Sequence, residues 1–572
     1  MSGKTSHIEA PAADDPLLDD LTEPQRRAVT HVDGPLLVLA GAGSGKTRVI
    51  TRRVARLILR VGIAPWNVLA ITFTNKAAGE MRDRLGSLLS ERQARAVAAC
   101  TFHSLCARRI REYADRLDLP TGYSIYDTAD QDRALKQVLE ALEISPDNFP
   151  PAKVLSVISN AKNELIDAEA FAAAATGFYD RTVARIYTKY QNTLIANHAL
   201  DFDDLLLVTV RLFKQHPDVL AELRDRYQYI LIDEYQDTNH AQFVIADALA
   251  AEHKNICATG DPDQSIYAWR GANIRNILEF ESHYPDATVV RLEQNYRSTK
   301  HILAVADRLI QHNTQRKHKA LWTDNEDGEP VTLVVCLAEH EEARWVVDQF
   351  RDLRDQRRMP WRDMAVFYRV NSLSRVIEDE LRNSGIPYQI ARGTAFYERK
   401  EIKDAVAYLR VIANPADSVN LLRIINTPAR GISPATVKAM RSHVVSTGMG
   451  LDQVLQAPAD VKGLNARAVA AVQQFAKLLQ TWRGQTDSIE TSLRTFVEQV
   501  LAESGLQKYY SNDKTDPDQE RLMNLGELVS SAQQFEDEIA YDDVDNRAEQ
   551  PLARRLEAYL ERISLVSDVD TL

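Results

Sequence analysis

Short apolar runs alternate with longer stretches of helical periodicity along the first half of the chain. Six of these runs end in polar or glycine-containing residues: PLLVLA (35–40), NVLAITF (67–73), AVAACTF (96–102), YQYILIDEY (227–235), NICATGD (255–261) and ATVVRLEQN (287–295). Continuous apolar runs of this length are typical of parallel strands buried on both faces, and polar residues at their carboxyl ends are typical of a site there. The pattern predicts an α/β domain built on a parallel sheet.

The rest of the chain divides into three further regions. Between Arg109 and Ala199 the periodicity is helical without a convincing strand, which predicts a helical insertion in the first domain. From about Arg291 the runs TLVVCLA, DMAVFYR and YQI predict a second unit of strands and helices. After Arg399 the chain is almost wholly helical, and an Asn-Pro pair at 414–415 is a helix stop signal.

Length and charge limit the kinds of protein that this chain can be. At 572 residues it is too long for one hydrophobic core, which predicts roughly three or four domains. The net charge of -12 argues against a surface that is basic throughout, and so against non-specific wrapping of nucleic acid. Residues 295–322 are nevertheless locally basic, with Asp307 as the single acid, and form either part of a basic groove or a solvated helix face.

Cysteine spacing and the N-terminal sequence indicate the cellular compartment of the protein. The four cysteines, at positions 100, 106, 257 and 336, form no C-x-x-C pair, which indicates neither a zinc site nor a disulfide framework. The N-terminus is acidic rather than apolar, and no apolar run approaches the length of a membrane span. We therefore expect a cytoplasmic protein with no membrane partner and a flexible start over residues 1–20.

A glycine-rich turn follows the first apolar run. AGAGSGKT (40–47) lies between a predicted strand and a predicted helix, an arrangement that aims backbone N–H groups at a phosphate chain. Lys46 can reach the β and γ phosphates, and the Thr47 hydroxyl can bind Mg²⁺. The first position of the motif is Ala40 instead of glycine, but three glycines still free the turn. The predicted nucleotide cradle consists of Gly41, Ala42, Gly43, Ser44, Gly45, Lys46 and Thr47.

An acidic pair follows another of the apolar runs. YILIDEYQD places Asp233 and Glu234 at the predicted carboxyl end of a strand. Asp233 would hold the magnesium of a nucleotide through water, while Glu234 would orient and deprotonate the attacking water. Adjacent acids are more often ordinary surface charge, but their position after so apolar a run favours a site. The loop and the acids together predict nucleotide hydrolysis.

A series of segments carries a resemblance to a known family. In chain order they are LTEPQ (21–25), AGAGSGKT (40–47), ITFTNKAAGEM (71–81), TFHSLC (101–106), DFDDLL (201–206), LIDEYQDTN (231–239), GDPDQSIYAWRGA (260–272), LEQNYRS (292–298), VFYRVNSLSR (366–375) and YQIARGTAFYERKEIKD (388–404). Over nearly its whole length the chain resembles the UvrD/Rep/PcrA family of superfamily 1 DNA helicases. The combination of DEYQDTN with GDPDQSIYAWRGA is highly specific.

The resemblance implies an ATP-dependent helicase that tracks 3′ to 5′ in repair or replication, with ATP and Mg²⁺ as cofactors. Gln25 resembles the adenine-reading glutamine, a role that suits an amide able to donate and accept. Arg48 and Tyr296 would stack on the two faces of the base. Arg297 would neutralise charge on the γ-phosphate, and Gln264 would sense that phosphate, so both join the catalytic set. The implied partners are single-stranded DNA, junctions of single-stranded and duplex DNA, and loading proteins.

Aromatic side chains interleaved with basic and polar ones suit sequence-blind binding of single strands, because every base has a face on which to stack. The predicted DNA-contacting set is Phe73, Asn75, His103, Phe202, Tyr267, Trp269, Arg270, Arg369 and Asn371. Core packing is the alternative for any one aromatic residue, most of all for Phe73 and Phe202. As a set at the ends of predicted strands, they favour a DNA channel.

In the resembled family, two RecA-like lobes each carry a helical insertion. The implied fold class is α/β, with P-loop (RecA-like) parallel-sheet lobes and two large helical insertion domains. The corresponding boundaries are lobe 1A at 21–108 and 200–290, insertion 1B at 109–199, lobe 2A at 291–398, helical domain 2B at 399–560, and a return to 2A at 561–572. No segment matches the later motifs of the family, which resemble VHAAKGLEF and YVGITRA. We therefore expect an incomplete, truncated second lobe.

An incomplete second lobe would lack a second phosphate-binding arginine, whose loss can cost ~10³-fold or more in rate, so we expect weak hydrolysis. One alternative is a nucleotide-tuned module that binds single-stranded DNA or a protein without effective ATP hydrolysis. A P-loop kinase or GTPase is disfavoured because no N-K-x-D segment follows the loop. A nuclease-fused helicase is disfavoured because the chain has no carboxylate-rich nuclease segment.

Overall fold

The computed structural model describes residues 15–314, 316–317, 319–390, 396–511, 516–541 and 550–569, without the side chains of residues 270, 516–518, 539–541 and 566–569. The described chain forms two compact units. Of the described residues, those up to 297, from 310 to 324 and from 396 onward form the first unit, and those from 298 to 309 and from 325 to 390 form the second. None of the described helices is long and apolar enough to cross a membrane.

The start of the chain departs in part from the expectation of flexibility. Residues 1–14 lie outside the described residues. In residues 15–20, however, Asp15 and Leu17 are buried. The Asp15 carboxylate lies 3.2 Å from the Arg60 guanidinium and 3.5 Å from that of Arg56. These ion pairs and the buried leucine hold the segment against the first domain.

Eight strands are present in the described residues: β1 (Leu36–Ala40), β2 (Val68–Thr72), β3 (Ala98–Thr101), β4 (Ser124–Tyr126), β5 (Ala199–Asp201), β6 (Tyr229–Ile232), β7 (Ile256–Gly260) and β8 (Thr288–Leu292). Six of them form one parallel sheet in the order β3-β2-β6-β7-β1-β8. All six apolar runs predicted as strands are therefore confirmed. Strands β1, β2, β6 and β7 are buried along their whole length, as expected for a sheet covered on both faces.

Fourteen described helices accompany these strands: α1 (Glu23–Thr30), α2 (Lys46–Arg56), α3 (Asn75–Leu88), α4 (Glu91–Ala96), α5 (Phe102–Glu112), α6 (Thr128–Ala141), α7 (Pro151–Asn163), α8 (Ala168–Ala174), α9 (Gly177–Ala196), α10 (Phe202–Gln215), α11 (Pro217–Arg226), α12 (His240–Ala250), α13 (Arg275–Leu278) and α14 (Phe280–His283). Side chains of Thr74, Thr101 and Asp201 cap α3, α5 and α10 by accepting backbone N–H groups. Helices α5 and α10 therefore begin directly after β3 and β5, and α3 begins three residues after the end of β2.

The insertion (residues 109–199) is mostly helical, but it is not free of strands. Strand β4 pairs with β5 in a parallel two-stranded sheet. The sequence prediction missed this sheet because three-residue strands are too short to show a period. A separate apolar core of the insertion surrounds the buried Tyr187 and Tyr190. Next to these rings, Lys162 is fully buried and lies 2.7 Å from Asp201 and 2.8 Å from Asp204.

The helical domain (residues 396–569) has its own core and contains α18 (Lys400–Ala413), α19 (Ser418–Ile424), α20 (Pro434–Thr447), α21 (Leu451–Gln456), α22 (Ala466–Gln485), α23 (Leu493–Glu503), α24 (Leu506–Ser511), α25 (Asp516–Tyr541) and α26 (Leu552–Val569). It contacts the insertion through buried polar groups. The Asp417 carboxylate accepts hydrogen bonds from Ser124 Oγ and Tyr126 OH, both at 2.8 Å. Arg410 forms a buried ion pair with Asp130. The predicted helical character of this region is confirmed.

The second unit contains α15 (Lys300–Ile310), whose last residue belongs to the first unit, with α16 (Glu339–Arg357) and α17 (Ser374–Asn383). The strands predicted at 332–338, 363–369 and 388–390 are wrong, because none of these described residues belongs to a strand. Leu333 is 90% exposed, Leu337 is 96% exposed and Phe367 is 94% exposed. A strand needs a hydrogen-bonded partner as well as an apolar pattern, and these segments have no pairing within the described chain. The predicted second parallel sheet is therefore not observed.

Candidate functional site

The carboxyl ends of the parallel strands meet at one edge of the six-stranded sheet. Strand β1 lies between β7 and β8, and β6 lies next to β7. The glycine-rich turn therefore leaves the sheet beside the segments that follow β7 and β8, with Asp233 and Glu234 one strand further along. Ligands of open α/β sheets bind at this edge, where neighbouring strand connections diverge.

Positive φ angles shape the phosphate loop. Gly43 has φ 68° and Gly45 has φ 88°, and Gly45 caps the N-terminus of α2. A Cβ atom on Gly43 would lie 2.7 Å from Asn295 Nδ2 and 2.7 Å from Arg297 Cβ. Asn295 Nδ2 donates to the Ala42 carbonyl at 2.7 Å. Glycine is thus required at position 43 both by the backbone and by the chain that follows β8.

Three predicted catalytic side chains meet at the loop. Lys46 Nζ donates to Glu234 Oε2 at 2.7 Å and lies 3.5 Å from Gln264 Oε1. Glu234 itself has φ 51°, an uncommon conformation for a residue other than glycine that costs of order 1–3 kcal/mol. Such outliers cluster at functional sites. The structure therefore brings together a lysine, an acid and an amide that lie far apart in the sequence.

Asp233, predicted to hold magnesium, is a buried carboxylate close to the phosphate-loop sheet edge. It is buried at the end of β6, and its Oδ1 accepts the Glu234 backbone N–H at 3.0 Å. Burial and the neighbouring Glu234 charge raise the pKa of Asp233 to about 7, so this carboxylate lacks a sufficient counter-charge. No group of three or more His, Cys, Asp or Glu side chains in the described chain could hold a metal alone. A magnesium ion here would share Asp233 and Thr47 with nucleotide oxygens and water, which fits its preference for oxygen ligands.

The residues predicted to hold the base lie around the same loop. Gln25 is buried, with Nε2 donating to the Ser44 carbonyl at 3.0 Å and Oε1 accepting the Thr22 N–H at 3.1 Å. The Tyr296 backbone N–H donates to the Gly43 carbonyl at 2.9 Å, and its ring is exposed. Arg48 is half-buried and pairs with Asp20. Gln25 thus uses both ends of its amide to brace the loop, while Tyr296 and Arg48 remain accessible to a ligand.

Predicted DNA-contacting residues form two aromatic pairs in the first domain, one on the segments that follow β2 and β7 and one on the first turns of α5 and α10. Phe73 and Tyr267 stack with ring centroids 4.7 Å apart, and the Trp269 ring lies 6.4 Å from that of Tyr267. Trp269 is 65% exposed. His103 and Phe202 lie 5.4 Å apart, but Phe202 is buried and belongs to the core of the domain. Most of the Phe202 side chain therefore packs in the core, which is the alternative raised for it from the sequence.

The other predicted DNA-contacting residues are dispersed. Asn75 Nδ2 donates to the Leu565 carbonyl of α26 at 2.8 Å. Arg369 and Asn371 are exposed residues of the second unit. The side chain of Arg270 lies outside the described atoms.

Arg297, predicted to neutralise charge on the γ-phosphate, follows Tyr296 beside the loop and is exposed.

Sequence reasoning missed three polar side chains of the site. Gln236 bridges Glu234 to the segment after β7, with Nε2 donating to Glu234 Oε2 at 2.9 Å and Oε1 accepting the Asp261 N–H at 2.9 Å. Asn295 contacts the loop as described above. Lys319 is buried, pairs with Asp261 and lies 3.2 Å from Asp263. Gln236 lies in the motif LIDEYQDTN and Asn295 in LEQNYRS, so the resemblance could have indicated both residues. For Lys319 the sequence offered only the basic character of residues 295–322.

A glycine-rich turn between a buried strand and a helix, with acids at a neighbouring strand end, defines a P-loop nucleotide-binding protein. The family model described as the UvrD/REP helicase N-terminal domain matches residues 21–285, and the model described as the UvrD-like helicase C-terminal domain matches residues 290–571. The chain belongs to the UvrD/Rep helicase family.

Individual relatives agree with the family models. The chain is 41% identical to the ATP-dependent DNA helicase PcrA of Bacillus subtilis over 556 residues, which are 97% of this chain and 73% of that protein. It is 41% identical to the PcrA protein of Staphylococcus aureus over 555 residues, which are 97% of this chain and 74% of that protein. These matches contradict the expected truncation, because the C-terminal model reaches residue 571.

Proposed function

We propose that the protein is an ATP-dependent DNA helicase that moves 3′ to 5′ along single-stranded DNA and opens duplex ahead of it. The observation that carries the proposal is the double role of residues 260–272. Gln264 lies 3.5 Å from the phosphate-loop lysine, while Tyr267, a few residues on, stacks on Phe73 beside the exposed Trp269. One short segment thus joins the nucleotide site to a surface suited to stacking bases.

The geometry supports the following order of events at the nucleotide. Backbone N–H groups of the loop and the N-terminus of α2 receive the phosphates. Lys46 exchanges its contact with Glu234 for the β and γ phosphates. Glu234 is then free to orient and deprotonate the attacking water. Thr47 and Asp233 would hold a magnesium ion, which would supply electrostatic stabilisation of the phosphate oxygens.

Other residues would recognise the base and report the γ-phosphate. The exposed Tyr296 and the half-buried Arg48 would stack on the base, with Gln25 at its edge. Arg297, next to Gly43, would neutralise charge on the γ-phosphate. Gln264, held against Lys46, would pass the state of that phosphate to Tyr267 and Trp269. A change in the nucleotide would then change the grip on DNA.

The remaining predicted contacts would extend the DNA path. Phe73, Asn75, His103 and Phe202 would contact DNA on the first unit. Independently of them, Arg369 and Asn371 would contact DNA on the second unit. We retain the proposed lobes 1A (21–108 and 200–290) and 2A (291–398), with insertions 1B (109–199) and 2B (399–560). Action in repair or replication, and recruitment by loading proteins, follow from the same proposal.

Steady-state ATP turnover with and without single-stranded DNA tests the enzyme against the nucleotide-tuned binding module. The helicase predicts turnover that DNA stimulates and that Lys46→Ala abolishes. The binding module predicts that ATP shifts DNA affinity without DNA-stimulated turnover. The turnover number also tests the weak hydrolysis that we expected from the sequence.

Duplexes with a single-stranded tail at either the 3′ or the 5′ end test the polarity. Unwinding from the 3′ tail alone agrees with the proposal. Unwinding from the 5′ tail alone contradicts it.

A further inference from the structure

Gln236 is fully buried between the acidic motif after β6 and the segment after β7. Its Nε2 donates to Glu234 Oε2 at 2.9 Å and to Asp237 Oδ2 at 3.0 Å. Its Oε1 accepts the backbone N–H of Asp261 at 2.9 Å. One side chain therefore connects the ends of two neighbouring strands.

The orientation of this amide is fixed by its partners. A backbone N–H can only donate, so the atom facing Asp261 is the acceptor oxygen of Gln236. The nitrogen then faces the carboxylates of Glu234 and Asp237, which accept. Hydrogen bonds to a charged acceptor are shorter and stronger than those between neutral groups. The amide is therefore held in one orientation and holds the Glu234 carboxylate in turn.

Close contact with the next strand restricts the position of Gln236. A Cβ atom on Gly260 would lie 2.5 Å from Gln236 Oε1. Any side chain larger than hydrogen at position 260 would push the amide away from the Asp261 N–H. The last residue of β7 is thus shaped to admit this side chain.

The connection continues to the predicted γ-phosphate sensor. Asp261 Oδ2 accepts a hydrogen bond from Gln264 Nε2 at 2.6 Å. The oxygen of the same Gln264 amide lies 3.5 Å from Lys46 Nζ. A continuous path of polar contacts therefore runs from Glu234 through Gln236 and Asp261 to Gln264.

We propose that Gln236 is a positioning residue that holds Glu234 for attack on the γ-phosphate and ties it mechanically to Gln264. The inference rests on the proposed ATPase function and adds a residue to it. In the structure Lys46 and Gln236 both donate to Glu234 Oε2. When Lys46 turns to the phosphates, Gln236 keeps the carboxylate in place while its other end follows the segment that carries Gln264.

Gln236→Met tests the proposal, because methionine keeps the approximate volume and removes both hydrogen-bonding ends. We expect kcat for ATP in the presence of single-stranded DNA to fall by about 10- to 100-fold, as for a reacting group displaced by about 1 Å. We expect KM for ATP to change by less than about twofold, because Gln236 contacts Glu234, Asp237 and Asp261 and none of the groups proposed to bind the phosphates. Stimulation by DNA should fall together with kcat.

The matched control is Gln242→Met. Gln242 is a buried glutamine of α12 whose Oε1 accepts the Asn239 N–H at 3.1 Å, and it contacts none of the catalytic side chains. It should lower thermal stability as much as Gln236→Met while leaving kcat near that of the wild type. If Gln236→Met fails to fold, Gln236→Asn keeps the amide but is one methylene shorter, so it cannot reach both Glu234 and the Asp261 N–H, and kcat should again fall.

A double-mutant cycle with Gln264→Ala tests the tie to the sensor. If the two glutamines act along one path, the second substitution should cost at least several-fold less in kcat than it does alone. Independent, multiplying effects would overturn the tie, and an unchanged kcat in Gln236→Met or Gln236→Asn would overturn the positioning role. A wild-type protein without turnover, or turnover that survives Lys46→Ala, would instead refute the proposed function itself.

Discussion

Lys46 and Lys162 make ion pairs of equal length in two regions of the first unit. Lys46 Nζ lies 2.7 Å from Glu234, and Lys162 Nζ lies 2.7 Å from Asp201 and 2.8 Å from Asp204. Lys46 begins a helix on a loop with positive φ angles, and its partner side chain is 34% exposed. Lys162 is fully buried in the insertion beneath Tyr190, whose OH donates to Asp201 at 3.1 Å.

The two ion pairs differ in whether the surroundings of the lysine can accept a second negatively charged partner. Around Lys162, two carboxylates supply a full negative counter-charge, and no solvent reaches the group. Burial opposes its charge, but the carboxylates outweigh that effect and raise the pKa of Lys162. Around Lys46, backbone N–H groups of a helix N-terminus prepare a place for further negative charge. The same pair distance therefore belongs to a structural cluster in one region and to an exchangeable contact in the other.

The largest expected effect is on turnover at the exchangeable contact. Lys46→Ala should lower DNA-stimulated ATP hydrolysis by about 10³-fold or more, because charge on the transferred phosphoryl group loses its lysine. The melting temperature should stay close to that of the wild type, since Glu234 keeps Gln236 as a donor and is partly exposed. Coupled-enzyme ATPase assays and thermal unfolding measure the two quantities. A large fall in melting temperature would show that both lysines are structural.

The structural cluster should respond in the opposite way. Lys162→Ala should lower the free energy of unfolding by about 3–5 kcal/mol, because it leaves Asp201 and Asp204 buried without a cation. Thermal unfolding of the whole chain measures the loss. Adding Asp204→Asn to this variant should restore part of the stability, since one fewer charge remains unpaired. Full stability of Lys162→Ala would contradict the comparison.

A smaller effect is expected from pH. Burial and the Asp201 charge raise the pKa of Asp204 to about 6, above its ordinary value of 3.8. A raised carboxyl pKa favours folding at acidic pH, and this contribution is lost as pH rises through about 6. Between about pH 4.5 and 7, Asp204 should therefore lower stability by on the order of 1 kcal/mol. Asp204→Asn, compared with the wild type by urea unfolding, should flatten this decline, and an identical slope would count against it.

The smallest effect is expected from an exposed pair of similar length. Arg441 lies 2.9 Å from Glu140, and these side chains are 39% and 68% exposed. Solvent screens such pairs, so Glu140→Ala should change the free energy of unfolding by less than about 1 kcal/mol. The same thermal assay provides the comparison with Lys162→Ala. A loss as large as that of Lys162→Ala would mean that burial does not explain the difference between the clusters.

The parts of the site that sequence predicted were local in the chain. The phosphate loop and Asp233 with Glu234 each follow an apolar run, so strand, turn and helix signals stood together. The contacts of Gln236 and Lys319 join residues 25 and 58 positions apart, which no periodicity reveals. The resemblance implied that Gln25 reads the adenine. It did not predict that both ends of the amide form hydrogen bonds, to Thr22 and Ser44.

The fold shows a similar division. Six apolar runs became strands of one sheet, because each had a neighbour to pair with. Runs of the same kind at 332–338 and 363–369 did not, since pairing depends on the rest of the chain and not on the run itself. Strands β4 and β5 were missed although they do pair, because three residues are too few to show a pattern and the pairing joins distant parts of the chain.

The segment 310–324 has a consequence for dividing this protein into pieces. By sequence it falls within the C-terminal family model, yet it belongs to the compact unit of the nucleotide site. Arg316 lies 3.0 Å from Asp263, and Lys319 pairs with Asp261. A Cβ atom on Gly41 would overlap the side chain of Leu321, which covers the phosphate loop. A fragment cut where the two family models meet would lose this cover and both cations, whereas a fragment extended through residue 324 would retain them.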